Sequence, residues 1–179
     1  RRIRPNPSTA PDLIKRIRAS GAEHAALEEL AATLFETLLE LDTLEPSKHG
    51  VGRNELVGPK ANDPVRAQLV ELATAYGVNV VDHYASARDP EGLLGLPKAN
   101  GIVWIAGRLL TPPLDGRVRF KAGFDAVTTR MKTYSLTHKS AEHGAAILIA
   151  AREAAEAPIA SVPDAMRANV AEWSRLLAK

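Results

Sequence analysis

Between Gly116 and Gly123 three cations alternate with apolar residues, Arg117-Val118-Arg119-Phe120-Lys121. At a period of two this pattern predicts a strand, with Arg117, Arg119 and Lys121 on one face roughly 7 Å apart and Val118 and Phe120 turned toward a core. Like charges in such a row repel unless water, carboxylates or an external polyanion relieves them. Arg130 and Lys132 follow, and the stretch from 117 to 139 holds Asp125 as its single acid. Arg117, Arg119, Lys121, Arg130 and Lys132 are therefore read as a polyanion-contacting set, because phosphate contacts use these side chains. Phe120 and Phe124 are the nearby aromatics. Both are expected to be buried, which argues against base stacking on single strands.

Acid–base chemistry would fall to histidine. His83 ends a strand expected over Val78–Val81, a position where α/β proteins often bind ligands. Its neighbour Asp82 points to the opposite strand face, so the two form no dyad. His138 and His143 are five residues apart. The zinc-protease pattern needs four on one helix, so they are not a ready metal pair. His83, His138 and His143 stand as the catalytic candidates, and no metal or cofactor is expected. Gly50-Val51-Gly52-Arg53 with Gly58-Pro59-Lys60 lacks the spacing of a phosphate-cradling loop and reads as a surface loop. Leu96 to Gly101 reads as a turn from which Lys98 and Asn100 could reach a ligand.

Leu136-Thr137-His138-Lys139-Ser140 resembles the short Leu-Thr-His-(Arg/Lys)-Ser element of the ribonuclease III family. The metal-binding acids that the family carries downstream have no counterpart in Gly144-Ala145-Ala146-Ile147-Leu148, so no catalytic residue is carried over.

The elements that must position these residues are mostly helical. Residues 1–10 read as an extended basic arm, and 11–179 as one α+β domain of about six helices around a sheet of about three strands. A short helix is expected from Pro11 to Ala19. Leu27, Leu30, Leu34, Leu38 and Leu41 give an apolar stripe to a helix from Ala22 to about Leu44, whose other face is acidic. Asp63-Pro64 caps and opens another helix, which Gly77 ends. Ala85–Asn100 reads as an irregular loop, rich in glycine and proline. Ile102–Ala106 is apolar without alternation, as in a strand covered on both faces. Together with Arg117–Lys121 it makes an expected hairpin near 101–121. Helices are expected over Phe124–Ser135, Ala141–Ala157 and from Val162-Pro163-Asp164 to Leu177, with Ser140 as an N-cap and the alanine-rich segment either central, in a tight helix pair, or helical by propensity alone.

Composition places the chain among ordinary globular proteins, at 179 residues with 45% hydrophobic and 25% charged. There is no cysteine, which excludes disulfides and thiolate metal sites and favours a reducing, cytoplasmic setting. No apolar run reaches the roughly 18 residues of a membrane span. The charge is segregated: Arg1, Arg2, Arg4, Lys15, Arg16 and Arg18 precede an acidic helix with Glu23, Glu28, Glu29, Glu36, Glu40 and Asp42. Three functions fit. The first is a non-enzymatic polyanion-contacting or assembly protein whose basic hairpin face meets nucleic acid or an acidic protein surface. The second is a metal-independent nuclease or other phosphate-substrate enzyme using the histidines. The third is a structural subunit of an oligomer or shell whose charge blocks pair between copies.

Overall fold

The computed structural model describes residues 22–41, 44–138, 140–154 and 161–178. The basic arm and the helix expected over 11–19 lie outside them. The described residues form six helices and a three-stranded mixed sheet, the helix-rich α+β arrangement expected. No helix among them is long and apolar enough to cross a membrane.

Helix α1, Ala22–Leu41, buries Ala31, Phe35 and Leu38, with Leu34 packed beside them. Helix α2, Pro64–Ala75, starts as its sequence dictates. The Asp63 carboxylate accepts the Arg66 N–H at 2.6 Å, Pro64 occupies the first turn, and Val65, Leu69 and Ala73 face inward. Gly77 ends it at φ +72, a left-handed turn that favours glycine.

The sheet has the order β1-β3-β2, with β1 spanning Val80–Ser86, β2 Leu93–Lys98 and β3 Gly101–Gly107. β3 is central, parallel to β1 and antiparallel to β2, and buried along its whole length. Its continuous apolar run suits a strand covered on both faces. Ile102, Trp104 and Ala106 meet α2 and residues of the helix that follows the sheet, while Val103 and Ile105 pack with Leu96, Val51 and Leu44 on the other side.

Two expectations are corrected here. β2 lies inside the stretch read as an irregular loop. Its Pro97 is tolerated because β2 is an edge strand, where a missing N–H breaks no ladder. Its Gly95 is a close approach, because a Cβ there would sit 2.7 Å from the Trp104 ring and 2.8 Å from Asp125. Second, Arg117–Lys121 is not a strand. Asp115 accepts the Val118 N–H at 2.8 Å and opens helix α3, Gly116–Arg130. Val118, Ala122, Ala126 and Thr129 carry the buried side at helical spacing, and that longer period prevails over an alternation only five residues long. The hairpin is β2–β3, turning at Ala99-Asn100.

Met131-Lys132-Thr133 breaks the helix expected over Phe124–Ser135. The short helix α4, Tyr134–Thr137, follows. Helix α5, Ala141–Ala154, is capped by Ser140, whose hydroxyl accepts the His143 N–H at 3.2 Å. Its Gly144 lets α4 come close, a Cβ there lying 2.9 Å from the Leu136 carbonyl oxygen. Ala146, Ile147 and Ala150 pack against Val170 and Trp173 of helix α6, Arg167–Leu177, and against Leu38 of α1. Ala146 and Ala150 thus lie between α5 and α6.

Candidate functional site

A helix distributes the basic residues differently from a strand. At 3.6 residues per turn, Arg117, Phe120, Lys121 and Phe124 share one side of α3, whereas Arg119 falls about 200° from Arg117, near the bearing of Arg130. The three-cation ladder therefore does not form. Arg117, Arg119 and Arg130 pair with no carboxylate among the described residues, while Lys121 is engaged by Asp125. Lys132 sits beyond the helix end, its Nζ 5.8 Å from the centre of the Phe35 ring.

The burial expected for Phe120 and Phe124 is also corrected. Phe120 is 74% exposed and Phe124 39% exposed, because Val118 and Ala122 take the inward positions of the same turns. The two rings stack at 6.3 Å with 17° between their planes. The row continues inward, with Phe124 5.2 Å from His138 and His138 stacked on Tyr134 at 3.6 Å.

Beneath this row lies Asp125, fully buried. Its Oδ1 accepts from Lys121 Nζ at 2.6 Å and from His138 Nε2 at 2.8 Å; its Oδ2 accepts from Lys121 at 2.7 Å and from the Gly95 N–H at 2.9 Å. The Tyr134 hydroxyl donates to the Gly95 carbonyl at 2.7 Å. A buried carboxylate is stable only when its oxygens are satisfied, and here β2, α3 and the end of α4 each supply a donor or the acid itself. The second ring nitrogen of His138, Nδ1, lies 3.2 Å from the Tyr134 carbonyl and 3.3 Å from the Thr137 hydroxyl. Both nitrogens thus face protein, and the network orients the His138 ring against Phe124.

The three histidines occupy separate surroundings. His83 is buried on β1 beside Trp104, its register partner, and its Nδ1 has no hydrogen-bond partner. Burial pushes its pKa below the usual 6.5, Asp63 opposes that, and Arg66 adds to it. Asp82 pairs with Val103 and so lies on the other sheet face, as alternation requires. His143 on α5 meets the Trp173 ring edge-on at 5.4 Å. Among the described residues no three His, Asp or Glu side chains are grouped to hold a metal ion.

Asp125, Tyr134 and Gly95 carried no functional weight in the sequence. The usable signal was Lys121 and Asp125 four apart, a pair that meets only if the segment is helical. On α1, Glu29, Glu36 and Glu40 form no ion pair among the described residues. Lys98 is tied to the Leu44 carbonyl at 3.2 Å and to Glu45 at 3.1 Å. No protein-family model matches the chain, and neither does any curated protein or solved structure.

Proposed function

We propose that the chain is a non-enzymatic binder of single-stranded nucleic acid, using the side of α3 that carries Arg117, Phe120, Lys121 and Phe124. The observation that carries this reading is the stacked, exposed Phe120–Phe124 pair beside those cations. Exposed aromatic faces accept bases of any sequence, at about 1–3 kcal/mol per stacked base, while a neighbouring arginine meets the backbone. The Asp125 network supports the platform from below by holding His138 against Phe124.

Charge is the smaller partner in this reading. Lys121 is already neutralised by Asp125, and Arg119 lies elsewhere on the helix. The salt dependence is therefore shallow, about −0.7 in log K per log salt for each phosphate neutralised.

Fluorescence anisotropy with labelled single-stranded and duplex oligonucleotides tests it. The expected result is tighter binding of the single strand, weakened about tenfold or more by Phe124→Ala and by Phe120→Ala. Equal affinity for duplex and single strand, or affinity unchanged in both variants, would overturn it. A second reading, assembly between copies, has one observation in its favour: Glu29, Glu36 and Glu40 on α1 and Arg117, Arg119 and Arg130 on α3 form no ion pair among the described residues. Light scattering across a salt series decides it. A mass that falls to the monomer as salt rises supports assembly, and a monomer at every salt concentration removes it.

A further inference from the structure

A second feature lies at the far end of α3, away from the aromatic row. A cleft of about 220 Å³ opens where the C-terminal ends of α2 and α3 meet the β2–β3 turn, lined by Phe35, Asn79, Asn100, Thr129, Arg130 and Lys132. Lys98 also borders it. Every charged side chain lining it is a cation. A larger hollow of about 340 Å³ near the start of α3 instead mixes Glu91 and Asp115 with Arg117 and shows no such preference.

Three observations point to an anionic ligand. Among the described residues Arg130 has no carboxylate partner, and the amide groups of Asn79 and Asn100 make no hydrogen bond. Lys132 holds φ +60, a left-handed conformation where glycine is the usual residue. Helix C-termini ordinarily repel anions. Here, however, the terminal carbonyls are engaged: Lys132 and Thr133 N–H donate to Thr129 and Thr128, and Gly77 and Val78 N–H donate to Thr74 and Ala73.

α2 and α3 close with the same backbone hydrogen bonds, yet one places Gly77 and the other Lys132 at the left-handed position. The backbone alone favours glycine at both. A lysine kept there supplies a cation beside Arg130 that glycine would not.

We propose that this cleft binds the phosphate group of a small ligand, with Arg130 and Lys132 as its counter-charges and Asn79 and Asn100 as hydrogen-bonding groups. The planar guanidinium spans two phosphate oxygens and the ammonium supplies a point charge. Isothermal titration calorimetry of the full chain with inorganic phosphate, pyrophosphate and adenosine monophosphate as separate titrants tests this. Saturable one-to-one binding of at least one titrant is expected, weakened about tenfold or more in Arg130→Ala and in Lys132→Gly and unchanged in Arg119→Ala. The tightest titrant says whether the phosphate arrives bare or as an ester. Lys132→Gly relieves the left-handed lysine, so its melting temperature should stay level or rise, which separates lost binding from lost folding. No saturation by any titrant at millimolar concentration, or equal weakening in Arg119→Ala, overturns the proposal.

Discussion

Helix α3 carries two polar–aromatic assemblies on neighbouring sides of one cylinder. On the inward side Asp125 is fully buried and all its contacts are filled by Lys121, His138 and Gly95. On the outward side Phe120 and Phe124 stack in solvent with Arg117 unpaired beside them. Polar groups that leave water must find partners within the fold, and they then serve architecture. Groups left unsatisfied at the surface are available to something else. Lys121 stands on the boundary, half in each assembly.

The largest effect should come from breaking the inward side. Asp125→Ala would leave Lys121, His138 and the Gly95 N–H without their acceptor, at a cost of about 3 kcal/mol. Asp125→Asn should cost less, because it keeps an oxygen for Gly95. Urea denaturation measures both. A stable Asp125→Ala would break the comparison, since the buried network would then carry no architectural load.

Gly95→Ala comes next. Its methyl would press on the Trp104 ring and on Asp125, and such overpacking costs about 1–3 kcal/mol. Denaturation midpoints check this, and an unchanged midpoint would mean that β2 stands further from α3 than described.

His83 sharpens the same point through pH. It is buried with an unpartnered nitrogen and its pKa is depressed by that burial. The unfolded chain therefore takes up this proton near pH 6.5, while the folded chain takes it up only at lower pH. Above that pH neither state is protonated and nothing is lost. As pH falls through it, stability declines until the folded-state pKa is reached. His83→Gln should flatten the decline, read as the difference between two stability–pH curves.

The smallest effect on stability belongs to the outward side. Phe120→Ala should shift stability by no more than about 0.5 kcal/mol, because the ring is already 74% exposed. A larger loss in thermal denaturation would mean that the Phe120–Phe124 stack holds the helix together.

Much of the fold was legible wherever local chemistry and burial agree. Asp63-Pro64 and Gly77 bound α2 because cap and stop act within a few residues. Ser140 caps α5 for the same reason. β2 was hidden because Gly95 and Pro97 look like loop residues, and only the neighbours reveal one as a close approach and the other as an edge position. The segment 117–121 was ambiguous because five alternating residues satisfy a strand and the first turns of a helix equally well. Of the candidate site, the cations were visible and their grouping was not.

By itself, the sequence settled the helix-rich α+β class, the buried central strand, the caps of α2 and α5 and the concentration of cations from Arg117 to Lys132. All of these rest on composition and on interactions within a few residues. The tertiary structure alone decided which cations share a surface, that Phe120 and Phe124 face solvent, and that Asp125 meets Gly95, thirty residues earlier in the chain. Those outcomes depend on the bearing of a helix against a sheet, and that bearing is set by contacts between residues far apart in sequence.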